Sequence, residues 1–219
     1  MSLLRAADPF PAARDSVSLG QPDRGSLQNG IQLPPHSLYR LRSADRAWAT
    51  QRTVHRILDA FGSMRTTKVV YLHDLSLRQG GPIPGHRSHQ NGRDADIAYY
   101  QHHHVSRFKT VSAEEMDADS TWKLLHWWLA RDAVSYVFID WGLQKPLFES
   151  ASRSGASKRQ LARWFQFPRP PERRMGVIRH AAGHKDHFHV RFGCGDDGDG
   201  EDEGRGEGVA LIKYLRRFQ

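Results

Sequence analysis

The chain has 219 residues, 38% of them hydrophobic and 10% aromatic, which is enough to bury a sizeable core and ordinary for a globular protein. No apolar run approaches the roughly 20 residues of a membrane span, residues 1–9 are too poor in apolar side chains for a secretory signal core, and the single cysteine, Cys194, excludes an intrachain disulfide and a thiolate zinc cluster. The net charge of +8 is unevenly spread, because residues 195–208 carry seven acids and one arginine, a local charge of −6 that leaves +14 on the rest.

Along the chain, residues 1–33 read as an extended, turn-rich N-terminal arm and residues 34–219 as a single domain without internal repeats. Between residues 44 and 61, Trp48, Val54, Ile57, Leu58 and Phe61 fall along one face at helical spacing. Val69-Val70-Tyr71-Leu72 reads as a core strand, and the glycine- and proline-rich residues 79–85 as the loop after it. There follows Gly85-His86-Arg87-Ser88-His89-Gln90-Asn91-Gly92-Arg93-Asp94-Ala95-Asp96. Asn91-Gly92 is a tight-turn signal, and residues 96–100 read as a strand with Asp96 at its start and His89 on the loop leading in. His102, His103 and His104 read as a solvated strand end or a weak adventitious metal tract.

Asp119-Ser120-Thr121 predicts the cap of a helix running to Asp132 through Trp122, Leu125, Trp128 and Leu129, with His126 as a packing residue. Residues 136–140 read as a buried strand and 157–165 as a short helix. Residues 153–179 hold eight positive side chains and one acid, Glu172, interleaved with Trp164, Phe165 and Phe167. An ordinary basic surface over buried aromatics accounts for that pattern; attraction to an anionic polymer and nucleic-acid binding are the alternatives. Residues 176–180 are expected to form the hairpin partner of a strand at 187–192. The acidic residues 195–208 read as a flexible loop: the alternation of aspartate and glycine hints at calcium, but the full twelve-residue calcium-loop pattern is absent. An amphipathic helix at 209–218 closes the chain. The expected class is α+β, a small antiparallel sheet flanked by helices.

Chemistry concentrates in the first histidine segment and in a distant one, Gly183-His184-Lys185-Asp186-His187-Phe188-His189. His187-Phe188-His189-Val190-Arg191-Phe192 alternates between polar and apolar residues, the pattern of a half-buried strand. Side chains alternate between faces of a strand, so Phe188, Val190 and Phe192 enter the core while His187, His189 and Arg191 share the other face. A catalytic zinc takes three nitrogen or oxygen ligands and leaves a position for water, whose pKa falls to roughly 7. His89, Asp96 and His189 supply such a set.

A histidine, six intervening residues, an aspartate and a distant His-x-His before Val-Arg resemble the metallopeptidase group of lysostaphin, the D-Ala-D-Ala peptidases and the hedgehog zinc domain. Within it, Ser88-His89-Gln90-x-Gly92-x-Asp94-x-Asp96-Ile97 and His187-x-His189-Val190-Arg191 look most like the penicillin-insensitive murein endopeptidases. That resemblance implies zinc on His89, Asp96 and His189, a catalytic role for His187, and active-site positions for His86 and His184. His184 is expected as a further proton carrier or substrate contact. His86 is expected at an additional metal or beside the ligands, and Asp186 either orients an imidazole or serves a turn. The resemblance further implies Zn2+ as cofactor, peptidoglycan peptide as substrate, no nucleic-acid partner, and a periplasmic or secreted location although no signal peptide is visible. A D,D-carboxypeptidase or D-Ala-D-Ala dipeptidase on the same site, or a non-catalytic wall-binding module with structural zinc, are the alternatives. The lack of cysteine pairs departs from the disulfides such endopeptidases often carry.

Overall fold

The computed structural model describes residues 15–103 and 105–194. The acidic stretch 195–208, the expected closing helix 209–218, residues 1–14 of the arm and His104 lie outside the described residues.

The elements in chain order are β1 (Val17–Gln21), β2 (Arg24–Gln28), β3 (Ile31–Gln32), β4 (Tyr39–Leu41), β5 (Trp48–Ala49), α1 (Gln51–Ser63), β6 (Val69–Leu72), β7 (Asp94–Ala98), β8 (Val105–Ser106), α2 (Ala118–Leu129), β9 (Val134–Ile139), α3 (Trp141–Arg153), α4 (Lys158–Trp164), β10 (Ile178–His180) and β11 (His187–Phe192). Seven strands form the main sheet in the order β10-β9-β11-β7-β6-β4, with β8 also pairing with β6. The centre is antiparallel, β11 lying between β9 and β7, while the pairs β10–β9, β4–β6 and β8–β6 are parallel. With four helices beside it, this is the α+β class read from the sequence. The β1–β2 hairpin and the short β3–β5 pair lie outside the main sheet.

The alternation in β11 sorts its two faces as expected. Phe188, Val190 and Phe192 are fully buried, each contributing about 1.5–3 kcal/mol of hydrophobic stabilisation on an area basis. Phe192 meets Trp128 of α2 edge-to-face, ring centres 5.4 Å apart, and the Trp128 indole N–H donates to the Arg56 carbonyl of α1. His126 packs between the rings of Trp122 and Trp164, at 5.3 and 5.5 Å. Basic residues 153–179 surround a core that includes Trp164 and Phe165.

Several boundaries differ from the sequence reading. The helix expected from residue 44 begins at Gln51, where the Thr50 hydroxyl accepts the Thr53 N–H, and Trp48 belongs to β5. Asp117, not Asp119, caps α2; Asp119 accepts hydrogen bonds from Ser150 and Arg153 of α3. Helix α3 was not anticipated, because Gly142 and Pro146 lower helix propensity, yet Leu143, Leu147 and Ala151 bury one stripe and Asp140 caps the start. The expected hairpin of β10 with β11 is replaced by a parallel β10–β9 pair, Ile178 opposite Val137. A hairpin would have left β9 without its central place beside β11.

Candidate metal centre

Strand register brings the polar residues of β7 and β11 together. In the antiparallel β7–β11 pair His189 stands opposite Asp96 and Arg191 opposite Asp94. Both acids of Asp94-Ala95-Asp96 occupy alternate positions and share a face. Asp96 is the third residue of β7, not the first residue of a strand as expected, so its carboxylate is held mid-sheet and is 2% exposed.

His89 reaches the same point from the preceding loop. Its backbone is in the left-handed region, φ +71°, a conformation costing a non-glycine residue roughly 1–2 kcal/mol. Two contacts hold it there: the His89 N–H donates to Asp94 Oδ2 at 2.9 Å and its Nδ1–H to the Leu75 carbonyl at 2.8 Å. With Nδ1 protonated, the Nε2 lone pair faces inward.

Three donor atoms then converge. His89 Nε2 lies 3.2 Å from Asp96 Oδ1, His189 Nδ1 lies 3.0 Å from the same oxygen, and the two nitrogens are 3.1 Å apart. Tetrahedral zinc with bonds of about 2.0–2.1 Å holds its donors about 3.3 Å apart, so the triangle fits that ion with little adjustment. Asp96 Oδ1 is buried without a hydrogen-bond partner among the described residues, an arrangement costly unless a cation sits against it. His86, His89 and Asp96 also offer ligand atoms within 4.8 Å of one another. His86 Nδ1 nonetheless faces the other oxygen, Asp96 Oδ2, at 3.6 Å, while its Nε2–H donates to Asp74 Oδ2 at 2.8 Å.

Asp94 ties these residues together. Besides the His89 amide it accepts two bonds from Arg191, at 2.9 and 3.3 Å, and lies 3.2 Å from His189 Nε2, an ion-pair distance without hydrogen-bond alignment. Burial pushes the carboxyl pKa of Asp94 and Asp96 upward, but the surrounding histidines, with Arg191 at Asp94, outweigh it and hold both well below the usual range. Burial likewise opposes charge on His189, and the two carboxylates overcome it, raising its pKa to about 9. The cluster thus favours a positive charge at the triangle, supplied by a proton when no metal is present.

His187 lies beside the triangle, Nε2 3.7 Å from Asp96 Oδ1, with its Nδ1–H donated to Asp186 at 2.7 Å. Phe108 stacks on its ring at 5.1 Å. His184 is one ring further out, 4.8 Å from His187 and 6.2 Å from His189 between ring centres; burial and then His187 lower its pKa. His102 and His103 are exposed.

The sequence reading gave no role to Asp94, Asp74, Arg46 or Phe108. Asp94 carried a usable signal, standing two residues before Asp96 on a strand. Asp74, which also accepts from Arg46 at 3.0 Å, and Phe108 reach the site from loops with no periodicity to mark them.

Among the described residues no helix is long and apolar enough to cross a membrane. A model of the penicillin-insensitive murein endopeptidase family matches residues 18–205, and the chain belongs to that family of peptidoglycan hydrolases. No curated protein sequence matches the chain.

Proposed function

We propose that this family member is a zinc-dependent endopeptidase that hydrolyses peptide cross-links of peptidoglycan in the periplasm or outside the cell, working as a single catalytic unit. The supporting observation is the triangle of His89 Nε2, His189 Nδ1 and Asp96 Oδ1, with edges of 3.0–3.2 Å, whose buried carboxylate oxygen has no hydrogen-bond partner among the described residues. Zinc held by His89, Asp96 and His189 would supply Lewis acidity and a bound water of lowered pKa.

The other residues act through hydrogen bonding and proton transfer. The Asp186 carboxylate keeps the His187 proton on Nδ1, leaving Nε2 with its lone pair beside the triangle, poised to take a proton as general base and return it to the leaving amine. Phe108 fixes the plane of that imidazole. His86, held by Asp74 and protonated more readily through that bond, faces Asp96 Oδ2 and orients the carboxylate. His184 sits where it contacts substrate or passes on a proton.

Two sets of variants test this division of labour. His89→Ala and His189→Ala should lose both bound zinc, measured by elemental analysis, and release of peptides from purified peptidoglycan. His187→Ala should retain most of the zinc and lose turnover by roughly 10²-fold or more. A metal-free His187→Ala protein, or peptidoglycan hydrolysis undiminished by 1,10-phenanthroline, would reject the assignment.

A further inference from the structure

Strands β7 and β11 separate two clefts of different charge balance. On the β6 side, a cleft of about 470 Å³ is lined by His73, Asp74, His86, Asp96, Phe108, Asp186 and His187, together with Arg42, Tyr71 and Arg107. On the β9–β10 side lies a larger cleft of about 880 Å³ whose lining among the described residues includes five arginines and no acidic residue. Phe138 and His184 form part of its wall, and Phe138 is 5.5 Å from His189 between ring centres. The arginine cleft therefore opens within one side chain of the catalytic cluster.

Its cations are not equivalent. Arg191 is committed to Asp94. Arg179 is fixed in place, its Nε–H donating to the Gly176 carbonyl at 2.9 Å and its guanidinium lying 4.2 Å from the centre of the Tyr136 ring. Arg93 is 6% exposed and donates through Nε to the Phe192 carbonyl, yet its Nη2 has no hydrogen-bond partner among the described residues. A buried guanidinium nitrogen left unsatisfied carries a substantial desolvation penalty unless an acceptor arrives, although Arg93 borders a second cleft, with Asp15 and Asp59, as well as this one. Arg87 and Arg174 also line the cleft and make no ion pair with a described acid. His180 accepts the Trp141 N–H on Nδ1, which leaves the proton on Nε2 as a further neutral donor at the same wall.

We infer that the cleft bounded by Arg87, Arg93, Arg174 and Arg179 is a subsite for a free carboxylate of the wall peptide, holding the substrate's acidic portion on the β10 side of the metal centre. Planar guanidinium groups match a carboxylate with paired N–H donors, and the absence of acids from the described lining leaves that charge for a ligand. The opposite cleft sets Asp74, Asp96 and Asp186 against Arg42 and Arg107, so the excess of arginine on the β10 side sets the end at which the peptide's carboxylate lies. This inference rests on the proposed peptidoglycan substrate.

Calorimetric titration in chelator, where the proposed zinc-dependent cleavage is off, with purified cross-linked muropeptides whose stem-peptide carboxylates are either free or amidated, tests it without turnover. The parent protein should bind the free acid on the order of 10-fold or more tightly than the amide, as expected for losing charge-assisted hydrogen bonds. Arg87→Gln with Arg174→Gln should erase that difference, and unchanged melting temperatures would show that the fold is kept, since neither side chain has a described ion-pair partner. Equal binding of acid and amide by the parent, or undiminished discrimination by the double variant, would overturn the subsite. If the parent distinguishes acid from amide but hydrolyses neither when zinc is supplied, the subsite stands and the proposed activity fails.

Discussion

Asp94→Asn is the most informative single change, because one buried carboxylate supports both strands of the proposed metal centre. The substitution keeps size and removes charge. Asp94 accepts from the His89 amide at 2.9 Å and from Arg191 at 2.9 and 3.3 Å, and faces His189 Nε2 at 3.2 Å. An asparagine keeps one acceptor oxygen and turns an NH₂ group toward donors on the other side, so about half of these contacts become unfavourable. Breaking a buried ion pair costs about 3–5 kcal/mol. Arg191 keeps 20% of its side chain exposed and recovers some hydration, so the lower end, about 3 kcal/mol, is expected. In a domain of this size that corresponds to a melting temperature lower by about 6–12 °C. Loss of the Asp94 charge near His189 and of its hold on the His89 backbone should also weaken zinc binding by about 10–100-fold, the usual scale for a group supporting metal ligands. Urea unfolding in excess chelator reads the first effect without metal, and competition against a chromophoric chelator reads the second. A variant that melts within about 2 °C of the parent and binds zinc within about twofold would refute the supporting role of Asp94.

Two further outcomes follow from the same geometry. The His189 pKa is raised from 6.5 to about 9 in the metal-free protein, so its contribution to stability is fully present below pH 6.5 and is lost as pH rises through 9. Unfolding free energy measured in chelator should therefore decline over that window, with a limiting slope of about 1.4 kcal/mol per pH unit for one proton, and saturating zinc should abolish the decline; a flat profile in chelator would contradict the assignment of that charge. Gly92 has φ +74°, and a Cβ there would lie 2.8 Å from Leu27 Cδ1 and 3.0 Å from the Thr50 nitrogen, whereas Gly183, φ +83°, has nothing within 4 Å. Gly92→Ala should lower stability by more than the roughly 1–2 kcal/mol expected from backbone strain alone, Gly183→Ala by no more than that, and equal urea midpoints for the two would show that crowding at Gly92 is not felt.

The periodicities of single segments were legible in the sequence, and so was the chemistry they carry. The two-residue alternation of His187-Phe188-His189-Val190-Arg191-Phe192 specified one apolar and one functional face, because side-chain direction on a strand depends only on residue parity. Ser157 announced α4, since a hydroxyl followed three residues later by glutamine satisfies the first helical amides reciprocally. What lay beyond the sequence is what depends on long-range pairing. Whether β10 pairs with β11 or with β9 turns on which strand occupies the centre of the sheet, and local composition does not encode that order. The opposition of His189 to Asp96 and Arg191 to Asp94 is a register between segments almost a hundred residues apart, and the roles of Asp94, Asp74 and Phe108 exist only once those segments meet. The sequence alone therefore determined which residue types were available for metal chemistry and which face each strand would offer. The tertiary structure decided their separations of 3.0–3.2 Å, their burial and their charge, because these arise from packing between elements and not within them.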